Sequence, residues 1–282
     1  MNAISAPFIA FVGTTPNIGT TATAFATAFR IAEASGRQVG YLCLHLKSAK
    51  LHRYLGIAEP AVTLDKLRPE LASGSLTPDK LSRAVQTVRG MPNLHVLFGN
   101  MLRDQAEFFT PEEVEHLIRI AGQTFSIVVI DVGAYWDNAA TICALRESDS
   151  RIIVTTDALS HFQEDGKRWI SQVSPLFGLS TEQYDTVVIY PPWSTGGYRM
   201  KDICKEMGTA KLGEIRYGHS FYAQLDSGHY DHWLKEDPAG KTAMQESAEQ
   251  LMDRHQIRRI TPTIAVQPWY RKLLAHRNGA SS

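Results

Sequence analysis

Phe8-Ile-Ala-Phe-Val-Gly-Thr-Thr-Pro-Asn-Ile-Gly-Thr-Thr21 is the segment of this chain that is most informative about its fold. Residues 8–12 are all apolar, which predicts a strand buried on both faces. A turn rich in glycine and threonine follows, and residues 20–35 have the apolar spacing of an amphipathic helix. A buried strand, a turn and a helix in this order are the setting of a phosphate-binding loop.

Short apolar runs recur along the chain and alternate with helical patterns. The runs that predict further strands are residues 38–46, 94–98, 126–130, 151–155 and 186–190. Thr110 is a good helix N-cap, because Pro111 follows at the first helical position with Glu112 and Glu113 in the first turn. That helix should reach about residue 121.

These elements predict the fold class. Strands that are apolar on both faces and separated by helices predict an α/β fold, a doubly wound, mostly parallel sheet with helices on both faces. One domain should span residues 1–260, and a linker with a short tail should occupy residues 261–282.

The composition is that of an ordinary globular protein, and it excludes several classes of function. The 282 residues, 44% of them hydrophobic and 21% charged, are enough to bury a large core. Lysine plus arginine and aspartate plus glutamate both number 29, so no overall field attracts nucleic acid or an anionic membrane. Three scattered cysteines provide neither a disulfide framework nor a metal-ligand spacing. Because the sequence has no signal-peptide pattern and no apolar run of about 20 residues, we expect a cytoplasmic protein.

The candidate phosphate loop lacks the residue that normally neutralises phosphate charge. Such loops use glycines to bring backbone N–H groups onto the phosphate, a lysine to neutralise it and a hydroxyl group to hold Mg²⁺. Here the expected Gly-Lys-Thr reads Gly19-Thr20-Thr21, and Pro16 has no N–H to donate. The residues that remain candidates for weak binding of a nucleotide or phosphate are Gly13, Thr14, Thr15, Asn17, Gly19, Thr20 and Thr21. The alternative is a turn with no ligand, in which Thr20 or Thr21 satisfies the helix N-terminus.

These motifs resemble those of the MinD/ParA family of P-loop ATPases, whose deviant Walker A motif, roughly Gly-Lys-Gly-Gly-Val-Gly-Lys-Thr, falls on residues 14–21. Residues 36–46 resemble the family's second strand, residues 127–133 its Walker-B-like strand, and residues 212–217 its late Leu-Gly-x-Ile-Pro strand. Residues 99–118 are most similar to the TadZ/CpaE branch, whose members localise type IVb pilus and secretion machinery. The resemblance covers most of the chain and implies a P-loop NTPase fold and a homodimer.

The departures from the family pattern fall on its catalytic positions. The resemblance puts Thr15 and Thr20 where the family has lysines. It puts Cys43 and His45 where the family has carboxylates, and Tyr190 where it has an asparagine that reads adenine. We therefore expect a degenerate Walker A site, a pseudo-ATPase with no significant ATP hydrolysis. Its cofactor would be absent, or would be weakly bound ATP or ADP with Mg²⁺.

Asp131 is the main remnant of the catalytic set, and no other catalytic residue is predicted. It is able to hold a metal-bound water, and the alternative is a helix cap or a loop acid. Cys43 and His45 lie one residue apart on a strand with no identified third ligand, so they predict packing rather than a metal site.

Tyr135 and Trp136 lie in the loop that, by the resemblance, senses nucleotide and contacts the partner subunit. Large aromatic side chains in such a loop predict interface anchors. The alternative is that they fold back over the vacant pocket and fill it.

The tail is a second candidate for a functional segment. As a helix it would be short, basic and amphipathic, which predicts peripheral membrane contact or docking on a protein. The residues concerned are Trp269, Tyr270, Arg271, Lys272 and Leu273. Membrane contact would place the protein at the inner face of the membrane.

The main functional hypothesis is a catalytically degenerate MinD/ParA-like protein that acts as a scaffold or spatial regulator of a pilus or secretion assembly, with a protein of that system as its partner. One alternative is an active ATPase with an unorthodox P-loop that uses Thr20, Thr21 and Asp131. Another is a DNA-partition protein, for which the local cluster Arg254, Arg258 and Arg259 is the only support, so a nucleic-acid partner is not expected.

Overall fold

A single sheet organises the part of the chain that the computed structural model describes, residues 6–47, 49–194 and 197–260. Its strands are β1 (Phe8–Gly13), β2 (Val39–Cys43), β3 (Gln86–Val88), β4 (Met91–Leu97), β5 (Ile127–Asp131), β6 (Ser150–Thr156), β7 (Tyr184–Tyr190) and β8 (Ala210–Arg216). The spatial order is β3-β4-β2-β5-β1-β6-β7-β8. Every neighbouring pair is parallel except β3 and β4 at one edge. The predicted doubly wound, mostly parallel sheet is confirmed.

Helices cover both faces of the sheet. They are α1 (Thr20–Ser35), α2 (Leu51–Tyr54), α3 (Leu64–Ala72), α4 (Pro78–Ala84), α5 (Pro111–Thr124), α6 (Ala139–Glu147), α7 (Met200–Met207), α8 (His219–Asp226), α9 (Tyr230–Glu236), α10 (Pro238–Thr242) and α11 (Gln245–Arg254). Two π-helical segments, Ser160–Gly166 and Trp169–Val173, follow β6, and a 3₁₀ segment, Arg103–Phe108, precedes α5.

The alternation of side chains along β1 divides the interior into two cores. Ile9 and Phe11 pack with α1, α8, α9 and α11 on one face. Ala10 and Val12 pack with α5, α6 and α7 on the other. Continuous apolar strands are therefore buried on both sides, which is why the strand positions were readable from the sequence.

The second strand is shorter than predicted. It ends at Cys43 rather than at residue 46, because its neighbour β5 ends at Asp131, the residue paired with Cys43. Past that point the N–H of Leu44 still donates to the Asp131 carbonyl at 2.8 Å, and the chain then leaves the sheet. The fourth strand begins earlier than predicted, at Met91, because the short edge strand β3 pairs with it.

The predicted start of α5 is confirmed as a complete capping box. The Thr110 Oγ1 accepts from the N–H of Glu113 at 3.3 Å, and the Glu113 Oε2 accepts from the N–H of Thr110 at 3.0 Å. Two of the helix's orphan donors are thus satisfied reciprocally.

Replacing Thr110 with alanine should lower the free energy of unfolding by about 1 kcal/mol, because the Glu113 N–H loses its acceptor. Chemical denaturation measures this change. The control is Glu115→Gln, an exposed change in the same helix that touches neither half of the box. Equal stability of the two variants would contradict a stabilising role for the box.

Candidate functional site

A cleft lies at the carboxyl ends of the central strands. From β1 the chain crosses to β2, which lies toward one edge of the sheet. From β5 it crosses past β1 to β6, which lies toward the other edge, so the strand order reverses around β1. Ligands bind at such reversal points in open α/β sheets. The cleft has a volume of about 770 Å³ and is lined by residues 15–22, by the segments after β2, β5, β6 and β7, and by parts of α2 and α8.

The phosphate loop, residues 13–21, is fixed at its start by neighbouring strands. The Gly13 N–H donates to the Gly133 carbonyl at 2.6 Å, and the Thr14 N–H donates to the Val154 carbonyl at 2.9 Å. Two tryptophans add to this: the indole N–H of Trp136 donates to the Gly13 carbonyl at 3.2 Å, and that of Trp169 to the Thr14 carbonyl at 3.1 Å. The loop is therefore held rigidly even though its sequence is atypical.

Further along the loop, the backbone forms an open nest of donors. Asn17 and Gly19 have left-handed backbone conformations, with φ of 63° and 105°. Helix α1 begins after Gly19 with no side-chain cap. Among the described residues, no oxygen accepts from the N–H groups of residues 17–21. The alternative in which Thr20 or Thr21 caps this helix is therefore wrong, and residues 17–21, which line the cleft, carry N–H donors of the kind that an anion binds.

Neither loop position expected to carry a lysine carries a charge. The Thr15 hydroxyl donates to the Asp165 carboxylate at 2.6 Å, and Thr20 is buried. Lys50 is the one lysine or arginine among the described residues that line the cleft, and its Nζ lies 3.4 Å from the Asn17 side-chain oxygen. Asp157 and Asp226 line the same cleft, so the loop faces more carboxylates than cations.

His45 also lines the cleft, beside Gly133. Burial lowers the pKa of its imidazole. The Asp131 carboxylate acts to raise that pKa, and the Lys50 ammonium acts to lower it further. The ring is thus neutral near pH 7 and adds no positive charge for a phosphate.

Asp131, the predicted catalytic remnant, is fully buried and does not line the cleft. Its carboxylate accepts from the Tyr41 hydroxyl at 3.1 Å and from the Gly133 N–H at 3.2 Å, with the Cys43 Sγ at 4.0 Å. Burial raises the pKa of Tyr41 and Cys43, which therefore stay protonated as donors. Asp131 is the last residue of β5 and caps no helix, and its bond from the Gly133 N–H is the local contact expected of a loop acid.

An aromatic wall lines part of the same cleft. Trp193 follows β7, and its ring centroid lies 5.2 Å from that of Tyr222 on α8. Beneath them Tyr217 and Phe221 stack at 3.6 Å and are almost completely buried. No sequence pattern predicted this wall, although its residues follow two predicted strands and so lie on the edge where ligands bind.

Tyr190 takes no part in the cleft. Its hydroxyl donates to the Tyr198 carbonyl at 3.2 Å, and the Arg216 guanidinium lies 4.2 Å above its ring. The side chain points to a shallower neighbouring depression. The position expected to read adenine therefore faces away from the site.

The two aromatic residues predicted as interface anchors have different positions. Trp136 is only 2% exposed and stacks on Trp169, with centroids 5.4 Å apart and planes 4° apart. It neither reaches the surface nor fills the cleft, so the interface prediction for Trp136 is wrong for this conformation. Tyr135 is half-buried, next to the His45 ring and with the Lys47 Nζ 5.2 Å above its own ring, and its role as an anchor stays a prediction.

Metal and membrane features are not found in the part of the chain that the structure describes. No group of three histidine, cysteine, aspartate or glutamate side chains there is placed to hold a metal ion. No described helix has the length and hydrophobicity to cross a membrane. The predicted tail, with Trp269, Tyr270, Arg271, Lys272 and Leu273, lies outside the described residues.

Comparison with known proteins finds similarity in structure only. No protein-family model matches the chain, and no curated protein sequence matches it. The fold is similar to that of a ParA family ATPase from Chlorobium tepidum TLS, with a TM-score of 0.74 and 20% identity over 88% of this chain and 99% of that one. For MinD in the MinC:MinD cell division complex of Aquifex aeolicus, the TM-score is 0.69 and the identity is 16%, over 88% of this chain and 96% of that one. For MinD complexed with Mg-ADP from Pyrococcus horikoshii OT3, the TM-score is 0.64 and the identity is 18%, over 86% of this chain and 96% of that one.

At these identities the comparisons establish the fold and nothing finer. The chain has the P-loop NTPase fold of MinD and ParA proteins, as the sequence resemblance implied.

Proposed function

We propose that this protein is a MinD/ParA-type pseudo-ATPase, which acts by binding and does not hydrolyse ATP at a significant rate. The observation that carries the proposal is the state of the phosphate loop. Thr15 and Thr20 bring no charge to it, and Asp131, the acid of the family motif that this sequence retains, is completely buried.

The absence of both lysines has a large energetic consequence. A hydrogen bond to a charged group contributes about 1.5–3 kcal/mol, so two missing lysines remove roughly 3–6 kcal/mol of transition-state stabilisation. Each 1.36 kcal/mol is a factor of about 10 in rate. Hydrolysis would then be slower by roughly 10²- to 10⁴-fold before any loss at the metal is counted.

The residues present fit a phosphate better than they fit Mg²⁺. The N–H nest of residues 17–21 is open, as an anion requires. Asp131, which would hold the metal or its water, already accepts two hydrogen bonds and exposes no surface. A weakly bound nucleotide is therefore compatible with this site, whereas a Mg²⁺ ion held through Asp131 is not.

The role that we propose is a scaffold or spatial regulator, working as a homodimer with a protein partner of a pilus or secretion assembly. This part rests on the similarity of residues 99–118 to the TadZ/CpaE branch. The same segment exposes the apolar side chains Met101, Leu102 and Phe108, which would suit a protein contact.

The DNA-partition alternative loses its main support in the structure. Arg254 forms a bidentate ion pair with Asp185, and Arg259 forms ion pairs with Asp253 and Glu249. The arginine cluster is thus largely neutralised by neighbouring acids, which leaves little free charge for phosphates.

The proposal predicts that purified protein with ATP and Mg²⁺ releases phosphate no faster than a protein-free blank. Thr21→Ala should leave that rate unchanged, because the hydroxyl would have no catalytic role. Turnover that Thr21→Ala or Asp131→Ala abolishes, in a variant with an unaltered circular dichroism spectrum, would overturn the proposal in favour of an unorthodox ATPase.

A further inference from the structure

We propose that the cleft selects a planar aromatic ligand with a single anionic group, such as a nucleoside monophosphate, over a nucleoside triphosphate. The inference rests on the proposed function only in that the bound ligand is not hydrolysed. It is carried by three features that lie in one cleft: an aromatic wall, a single cationic anchor and a pair of carboxylates.

The aromatic wall offers an exposed stacking surface on a fixed support. Trp193 is 64% exposed, an unusual state for the largest side chain, and its ring meets that of half-buried Tyr222 at an angle of 39°. Tyr217 and Phe221, stacked and buried below, prevent the wall from collapsing inward. Aromatic side chains held in this way stack on any planar ring.

The anchor for an anion is the phosphate loop, which lines the same cleft as the aromatic wall. The N–H groups of residues 17–21 have no acceptor among the described residues, and the Lys50 ammonium lies beside the same loop. The contact between Lys50 and Asn17 is long, at 3.4 Å, so little is lost when a ligand replaces it. One ammonium and a set of amide dipoles suffice for one anionic group.

The described lining of the cleft has two carboxylates and no second lysine or arginine to neutralise additional phosphates. Asp157 and Asp226 line the cleft, whereas Lys50 is the one lysine or arginine among its described lining residues. The Asp157 carboxylate is buried and accepts from the Ser194 hydroxyl, which fixes its position. A triphosphate carries about two more negative charges than a monophosphate, so these carboxylates repel it more strongly.

The size of the cleft is adequate for the proposed ligand. A volume of about 770 Å³ lies within the range of sites for cofactor-sized molecules. Selection would therefore depend on charge and stacking rather than on space.

Isothermal calorimetry with the full chain in EDTA tests the proposal, using adenosine, AMP and ATP as probes. We expect AMP to bind at least about 10-fold more tightly than ATP, and adenosine to bind more weakly than AMP. Equal or tighter binding of ATP would overturn the selection, and no detectable binding of AMP would overturn the site itself. GMP replaces AMP in a second series to test whether the base matters.

Separate variants test the contributions of the aromatic wall, the cationic anchor and the carboxylates to binding. Trp193→Ala should weaken AMP binding by about 10-fold, while Phe108→Ala, which removes an exposed aromatic ring outside the cleft, should leave it unchanged. Lys50→Met should weaken AMP but not adenosine, with Lys205→Met as the control on an exposed lysine that does not line the cleft. Asp226→Asn should narrow the gap between AMP and ATP by about 3-fold. AMP binding that survives both Trp193→Ala and Lys50→Met would place the ligand elsewhere and overturn the proposal.

The phosphate-release assay separates this inference from the proposed function. ATP turnover by the same preparation would contradict the pseudo-ATPase proposal. Absence of turnover together with a preference for ATP would contradict only the ligand selectivity.

Discussion

Replacing Arg30 with methionine is expected to lower the free energy of unfolding by about 3–5 kcal/mol. Arg30 lies on α1 and is only 4% exposed. Its guanidinium donates to three backbone carbonyls of the α9–α10 region, those of Leu234, Gly240 and Ala243. Methionine keeps much of the volume but offers no donor, so three buried carbonyls lose their partner at about 1–3 kcal/mol each before relaxation.

Thermal or chemical denaturation measures this effect, and the expected fall in melting temperature is roughly 10 °C. Glu33→Gln is the matched control. Glu33 also pairs with Arg30, but its side chain is 49% exposed, and an ion pair with one exposed partner contributes at most about 1 kcal/mol. If the two variants differed by less than 1 kcal/mol, the carbonyl contacts would not be what fixes α9 and α10 to α1.

Trp136→Ala is expected to destabilise the protein by about 3–5 kcal/mol, the usual range for removing a buried tryptophan. The change takes away a ring stacked on Trp169 and the indole donor to the Gly13 carbonyl. Because that carbonyl belongs to the phosphate loop, the variant should also loosen the anchor for an anion. AMP binding to the folded fraction should fall as well.

Two further variants separate packing from hydrogen bonding. Trp136→Phe keeps an aromatic ring but loses the indole N–H, so we expect a smaller loss of about 1–2 kcal/mol. Tyr135→Ala, in the neighbouring half-buried position, should cost less than about 1 kcal/mol. Stability is read from denaturation and self-association from analytical ultracentrifugation. A Trp136→Ala variant of native stability with weakened self-association would instead restore the interpretation of Trp136 as an interface anchor.

The core strands could be predicted because each carries its own signal. Residues 8–12 and 126–130 are apolar without interruption, and such runs are buried on both faces of a parallel sheet wherever they lie in it. The start of α5 was equally local, since Thr110 and Glu113 cap the helix within one turn. The edge strand β3 was missed because three residues, two of them exposed, have no apolar pattern of their own.

The candidate site was predicted in position but not in character. The rule that ligands bind at the carboxyl ends of strands led to the phosphate loop and to the segment after β5. It did not reveal that Asp131 is enclosed by Tyr41, 90 residues away in sequence, or that Thr15 is tied to Asp165. Contacts between such distant segments depend on how strands pair and how helices pack on the sheet, which no local pattern encodes.

Local sequence was enough to predict which segments form buried strands, where the helices start and that residues 15 and 20 carry no lysine. These features depend on neighbouring residues and on residue identity alone. Which side chains reach the cleft depends instead on tertiary packing. It buried Trp136 and Asp131, turned Tyr190 away, and brought Lys50, Asp157, Asp226 and Trp193 to one cavity. The physical reason is that exposure and electrostatic surroundings are properties of packed segments, which form only when residues distant in sequence come together.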